Sequence, residues 1–184
     1  MVRPSTARDG SEAYADGYAL NRPQFQDEQV YLEPMSAQIY VDADACPVKD
    51  EVIRVAGRHG MVVTFVANFG LRPSRDPMIR NVVVPQGADA ADDWIVEHAA
   101  TGDIVVTADI PLARRSLEKG AVVLGPTGRP FTPDSIGMAL AMRDLKQHLR
   151  ETGESRGYNA SYTARDRSAF LQALDEAVVK AKRS

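Results

Sequence analysis

The sequence holds a single cysteine, Cys46, which excludes an internal disulfide and leaves no second thiol for a thiolate zinc centre. Any metal must therefore be held by oxygen ligands. No stretch approaches the roughly 18 consecutive apolar residues that a membrane span requires, so no spanning helix is expected. The first residues, MVRPSTARDGSEAYADG, put no apolar core behind their arginines. A secretory signal is not expected, and the cytoplasm is the expected location. Internal repeats are absent, as is any surplus of positive charge. The formal net charge of −3 argues against a protein that coats nucleic acid electrostatically, yet it suits an enzyme with clustered acids and an arginine-lined rim. What is present is ordinary for a globular domain: 184 residues, 44% hydrophobic and 26% charged, enough to bury one core.

Residues 1–36 are polar, with scattered Pro, Gly, Asp and Gln and no sustained periodicity, and are expected to form a flexible extension. Residues 37–184 then form a single domain. The sequence predicts a strand over Gln38–Asp42, a helix over Pro47–His59 with Val48, Val52, Ile53 and Ala56 inward, and a stop at Gly60. MVVTFVA (61–67) is an unbroken apolar and β-branched run of the kind buried on both faces of a parallel sheet. Residues 68–80, with two prolines and three arginines, read as a loop. NVVVP (81–85) is a third strand, and Asp89–Ala100 a helix with Trp94, Ile95 and Ala99 inward. DIVVT (103–107) is a fourth strand, Pro111–Lys119 a helix closed by Gly120, and AVVL (121–124) a fifth strand. Alternating strands and helices of this kind predict an α/β, Rossmann-like domain with right-handed crossovers and a mostly parallel sheet of about five strands, order 3-2-1-4-5. Two C-terminal helices follow, one from Thr132 and Pro133 to about Arg150 and one over Arg165–Lys182. The second has Phe170, Leu171, Leu174, Ala177 and Val178 on one face.

In open α/β sheets, ligands bind outside the carboxyl ends of the strands, near the point where strand order reverses. Asp42 and Asp44 lie at the end of the first strand, in YVDADACPVKD. Asp89, Asp92 and Asp93 open the helix after strand three, and Asp109 follows strand four. In a 3-2-1-4-5 order Asp42 and Asp109 become neighbours at the reversal point. Converging carboxylates repel and raise one another's pKa, so a cation is expected among them. Mg2+ or Mn2+ suits such oxygen donors and leaves positions for water and phosphate. The chemistry this predicts is phosphoryl transfer. Each acid also has an ordinary explanation: Asp89 with Asp92, Asp109 and Asp44 are all placed to cap helices. Asp42 is the acid that capping leaves over, because it closes a buried strand where an isolated charge is expensive.

Asn68, Arg72, Arg75 and Arg80 lie on or around the loop after strand two. Asn68, Arg72 and Arg80 are the candidates for gripping substrate phosphates, set against the simpler reading of a solvated loop. Lys49, Arg114 and Arg115 are weaker candidates of the same sort. Cys46 has a helix-N-terminal position that favours a thiolate, but neighbouring carboxylates oppose it, and packing is the expected role. His59, His98 and His148 show no paired ligand spacing and are read as surface or interface residues.

The stretches IYVDADACPVKDEVIRVA, VANFGLRP, QGADAADDWIV, DIVVTADIPLARRSLEKGA and MRDLKQHLR resemble the bacterial YaiI/YqxD family, from about Ile39 to Phe170. The resemblance implies a PIN-like domain, whose relatives are mostly metal-dependent ribonucleases with three or four acids at the strand ends. Matching positions in this chain are Asp42 with Asp44, Asp89 with Asp92, and Asp109. The implied activity is Mg2+- or Mn2+-dependent phosphodiester hydrolysis with RNA as the substrate. Two other readings stand beside it. A strand ending in DxD also suits a haloacid-dehalogenase-type phosphatase with Asp42 as nucleophile and Asp44 as acid/base, although Asn68 stands where that chemistry wants Ser or Thr. In a non-catalytic module that binds RNA or protein, the acids would only cap helices or hold a structural ion.

Overall fold

The computed structural model describes residues 37–44, 46–87, 89–152 and 162–183. The extension expected over 1–36 lies outside them. The elements run β1 (Ile39–Asp42), α1 (Lys49–His59), β2 (Val63–Ala67), β3 (Ile79–Val83), α2 (Ala90–His98), β4 (Ile104–Val106), α3 (Ile110–Glu118), β5 (Val122–Leu124), β6 (Pro130–Phe131), α4 (Pro133–Glu151) and α5 (Ala164–Ala181). The sheet order is β3-β2-β1-β4-β5-β6. β1 to β5 are parallel, and β6 pairs antiparallel to β5. This is the expected Rossmann-like order with one added edge strand. A two-residue strand beginning at proline has no periodicity to reveal it, and proline is tolerated there because it sits at the edge.

Alternation along β1 divides the core in two. Ile39 and Val41 face one layer with Val52, Val55, Phe65, Phe170, Leu174 and Val178. Tyr40 faces the other with Val66, Ile95, Val105, Leu112 and Val123. Thus α1 and α5 cover one side of the sheet, and α2 and α3 cover the other. β2 is buried along its whole length, as an unbroken apolar run between two helical layers requires. α5 contributes Phe170, Leu174 and Val178, all fully buried, each worth about 1.5–3 kcal/mol of hydrophobic stabilisation. Its start is fixed by a capping box in which the Thr163 hydroxyl and the Asp166 carboxylate each satisfy the other's backbone N–H.

Local boundaries depart from expectation where tertiary packing decides. In α1, Val55 and Glu51 are buried and Ile53 is exposed. Glu51 is tolerated inside because Arg167 of α5 pairs with it at 2.8 Å. β3 begins at Ile79, so Arg80 belongs to a strand and not to the preceding loop. Gly60 ends α1 in the left-handed conformation, with φ of 62°. Gly128, with φ of 81°, turns β5 into β6 directly beneath α5. A Cβ there would lie 2.7 Å from the Ala169 carbonyl group, so glycine sets how closely that helix docks.

A candidate active site at the carboxyl edge of the sheet

The strand order reverses between β1 and β4, and both strands end in acid-bearing segments. Tyr40 and Asp42 share a face by alternation, so Asp42 points to the side covered by α2 and α3. It is 4% exposed. A buried carboxylate needs a donor, and Thr107, fully buried just after β4, supplies one: its hydroxyl donates to Asp42 Oδ2 at 3.0 Å. The same hydroxyl accepts from the Asp109 backbone N–H at 2.9 Å. One threonine thus joins the ends of two neighbouring parallel strands and sets where the Asp109 carboxylate begins.

Asp109 is the N-cap of α3, its Oδ1 accepting from the Leu112 N–H at 2.9 Å. Its Oδ2 lies 4.0 Å from Arg143 Nη2 of α4. Asp89 occupies the N-cap position of α2, but its side chain makes no capping bond; only its carbonyl is used, accepting from the Asp93 N–H at 2.8 Å. Capping therefore accounts for Asp109 and fails to account for Asp89. Asp92, one turn into α2, is the point where the separate segments act on one another. Its carboxyl is pushed up to about 6 by burial first, then by Asp109, Asp42 and Asp89, with Arg115 opposing. Asp93 turns outward and pairs with Arg115 at 2.6 Å.

Asp44 does not cap α1, whose N-cap is Val48 with no side-chain bond. It accepts instead from the Asn68 backbone N–H at 2.8 Å, tying the β1 and β2 ends together, and it is not among the acids that act on Asp92. Asn68 further donates to the Gly87 carbonyl at 3.4 Å, while its Oδ1 is buried with no hydrogen-bond partner. Arg72 is exposed, and its carbonyl accepts from the Asn81 side chain. The register places Val82, two residues beyond Arg80, level with Asp42. Arg80 therefore starts about 7 Å below the acidic edge and two strands away from it.

Cys46 is buried, and its thiol is pushed up to about 12 by burial, with Asp42 adding and the Ala108 backbone opposing. It packs in the core layer that holds Val48, Val52 and Phe65. His59 bridges α1 to Asp175 of α5 at 2.9 Å, and His98 stacks on Trp94. Two features of the site were not singled out from the sequence. Thr107 had a signal, a hydroxyl at a strand end two residues before an acid. α4, which brings Arg143 and Lys146 to the cleft beside Asp109, had a signal in MRDLKQHLR for the helix and the family but none for its place at the site, because its docking depends on the tertiary fold.

Among the described residues no three His, Cys, Asp or Glu side chains come together as a metal-holding group. A fully caged ion does not fit this arrangement. An ion of the magnesium class, held by one or two carboxylates and otherwise by water and phosphate oxygens, does fit. The acids here act on one another without closing on a common point, and the orphaned Asn68 Oδ1 is a further oxygen donor beside Asp44.

The family model described as "Uncharacterized BCR, YaiI/YqxD family" matches residues 40–180. A UPF0178 protein of Mesorhizobium japonicum is 73% identical over 146 residues, spanning 79% of this chain and 94% of its own. Another from Agrobacterium fabrum is 69% identical over 144 residues, spanning 78% and 94%, and one from Rhodospirillum rubrum is 55% identical over 147 residues, spanning 79% and 98%. No solved structure matches. With its acidic motifs inside the matched region, the chain belongs to the YaiI/YqxD family.

Proposed function

We propose that this protein hydrolyses phosphodiester bonds in RNA with a bound Mg2+ or Mn2+ at the carboxyl edge of the sheet. The observation that carries the reading is the bonded chain Asp42–Thr107–Asp109 at the strand-order reversal, where an α/β sheet offers its ligand crevice. Asp42 and Asp109 would hold the ion directly, with Asp89 and Asp92 at the start of α2 reaching it through its waters, and Asp44 stands at the rim. When bound, such an ion neutralises phosphate charge and lowers the pKa of an attacking water. The chain's own part is positional. Thr107 fixes the Asp42 carboxylate, the α3 N-terminus fixes Asp109, and Asp92, raised by burial and by Asp109, Asp42 and Asp89 while no cation stands among them, is the carboxyl whose repulsion a bound cation would relieve. The family's likeness to PIN-like nucleases supports the same class of chemistry by analogy.

The phosphatase alternative has less support. Its nucleophile would be Asp42, but that chemistry also needs a Ser or Thr after a neighbouring strand, and Asn68 stands after β2. The test is calorimetric titration with MnCl2 together with cleavage of a labelled single-stranded RNA. Wild type should bind Mn2+ and cleave. Asp42→Asn and Asp109→Asn should lose cleavage and weaken Mn2+ binding at least about tenfold while staying folded, because asparagine preserves the cap and the Thr107 bond. Wild type that binds no divalent ion sinks the proposal and leaves a non-catalytic module.

A further inference from the structure

The acidic edge has a second wall. A cleft of about 510 Å3 lies between the start of α3 and one side of α4, lined on the α3 side by Asp109 and Ile110 and on the α4 side by Ala139, Met142, Arg143 and Lys146. Its charge is uneven in a useful way. α4 also carries Asp134, Asp144 and Glu151, but none of these lines the cleft, so Asp109 is the acid on one wall and two cations stand on the other. The cations are three residues apart, about 4.5 Å along the helix, which lets both reach neighbouring phosphates of one strand. Beside them runs an exposed apolar stripe: Met138, Met142 and Leu145 are 73%, 46% and 50% exposed. Thioether sulfurs make favourable contacts with aromatic rings, and nucleobases present such rings.

We propose that α4 is the strand-binding wall of the site, with Arg143 and Lys146 gripping successive phosphates of a single-stranded RNA and Met142 and Met138 contacting its bases. The proposal deepens the phosphodiesterase reading and depends on it only for what happens to the strand next to Asp109. Cations, a neighbouring carboxylate edge and apolar side chains in alternation favour a single-stranded polyanion with exposed bases over a protein partner, for which the two cations and Asp109 would have to be buried together. Arg143, 4.0 Å from Asp109 Oδ2, already bridges the two walls, so it is positioned to pass from that carboxylate to an arriving phosphate.

The experiment is fluorescence anisotropy of the full chain with a 5′-fluorescein-labelled single-stranded RNA 12-mer, from 50 to 200 mM salt, both in EDTA and in CaCl2. The double variant Arg143→Ala/Lys146→Ala should bind about tenfold or more weakly. It should also flatten the log–log salt dependence by about 1.4, at roughly 0.7 per phosphate contact in single strands. Met138→Ser/Met142→Ser should weaken binding several-fold and leave the slope unchanged. A charge-matched control on the other side of the sheet, Arg54→Ala/Arg165→Ala, should bind as wild type. All of these residues are on helix surfaces, and circular dichroism verifies their folds. Wild type that binds no RNA in either buffer overturns the proposal, as does a double variant that binds like wild type. Sedimentation that shows a wild-type dimer dissolved by the methionine variant, with RNA affinity unchanged, gives the face to a second copy and overturns it too. Mn2+ calorimetry on wild type separates the two readings: no Mn2+ binding with RNA binding dependent on Arg143 and Lys146 fails the hydrolase and keeps the wall, and the reverse pattern does the opposite.

Discussion

Replacing Asp92 by asparagine should stabilise the metal-free protein above neutral pH. The Asp92 carboxyl is raised from its ordinary 3.8 to about 6, first by burial and then by Asp109, Asp42 and Asp89. A raised acid makes the folded state the better proton binder, so stability falls as pH rises between the two values and the whole penalty is present above about 6. The displacement sets a ceiling of about 3 kcal/mol. Asp92 is only half buried, and solvent screening brings the working figure to about 1 kcal/mol. Its place in the first turn of α2 opposes this slightly, since the helix dipole favours a charge there by about 0.5 kcal/mol. For a chain of this size 1 kcal/mol moves the melting midpoint by about 2–4 °C. Differential scanning calorimetry in EDTA at pH 7.5 should therefore place Asp92→Asn above wild type by that amount, and at pH 4 the two should nearly coincide. A variant that melts lower at pH 7.5, or a gap of equal size at both pH values, would refute the inference that burial and the neighbouring acids together raise this carboxyl.

Three further outcomes follow from the packing. Thr107→Val removes the donor to Asp42 and the acceptor of the Asp109 N–H, costing about 1–3 kcal/mol in urea unfolding and weakening Mn2+ binding, while Thr107→Ser should keep Mn2+ affinity; equal behaviour of the two variants would remove Thr107 from its positioning role. Gly128→Ala forces a Cβ against Ala169 at positive φ and should cost about 2 kcal/mol or more. Cys46, buried and with its thiol pushed up to about 12, should resist Ellman's reagent at pH 8 until denaturant is added; rapid labelling of the native protein would contradict its packing role.

Much of the fold was legible because long apolar periods and strong stops are local signals. MVVTFVA announced a doubly covered strand, and Gly60 announced the end of α1. Boundaries failed where a distant element decides them. Val55 and Glu51 are interior because α5 lies across α1 and brings Arg167 to the glutamate, while Ile53 faces solvent. β3 starts two residues before NVVVP because pairing with Val63 and Thr64 of β2 draws Ile79 and Arg80 into the ladder. The candidate site divides in the same way. Strand ends place Asp42 and Asp109 from sequence alone, given the parallel order. Sequence position points to the loop after β2 for the cations, yet those beside Asp109 come from α4, and nothing local to MRDLKQ says which strand end it will meet.

Capping and ligation looked like competing explanations for these acids, but a carboxylate has two oxygens and can serve both ends. Asp109 gives Oδ1 to the Leu112 N–H and keeps Oδ2 toward Arg143 and the cleft. Asp42 gives Oδ2 to Thr107. In Asp109 the cap fixes one oxygen, and because the carboxyl group is planar it thereby aims the other. A freely rotating aspartate at a strand end would lose side-chain freedom on taking up a cation, whereas one already held by a helix N-terminus or a buried hydroxyl has lost that freedom on folding. The cap on Asp109 is thus part of what orients the site, and a substitution that removes the capping bond while leaving a charge nearby should harm ligand binding as well as the helix. Asp109→Glu makes the distinction: its extra methylene carries the charge past the Leu112 N–H, so Mn2+ affinity should fall although the carboxylate is retained, and unchanged affinity would show that the cap and the site are independent.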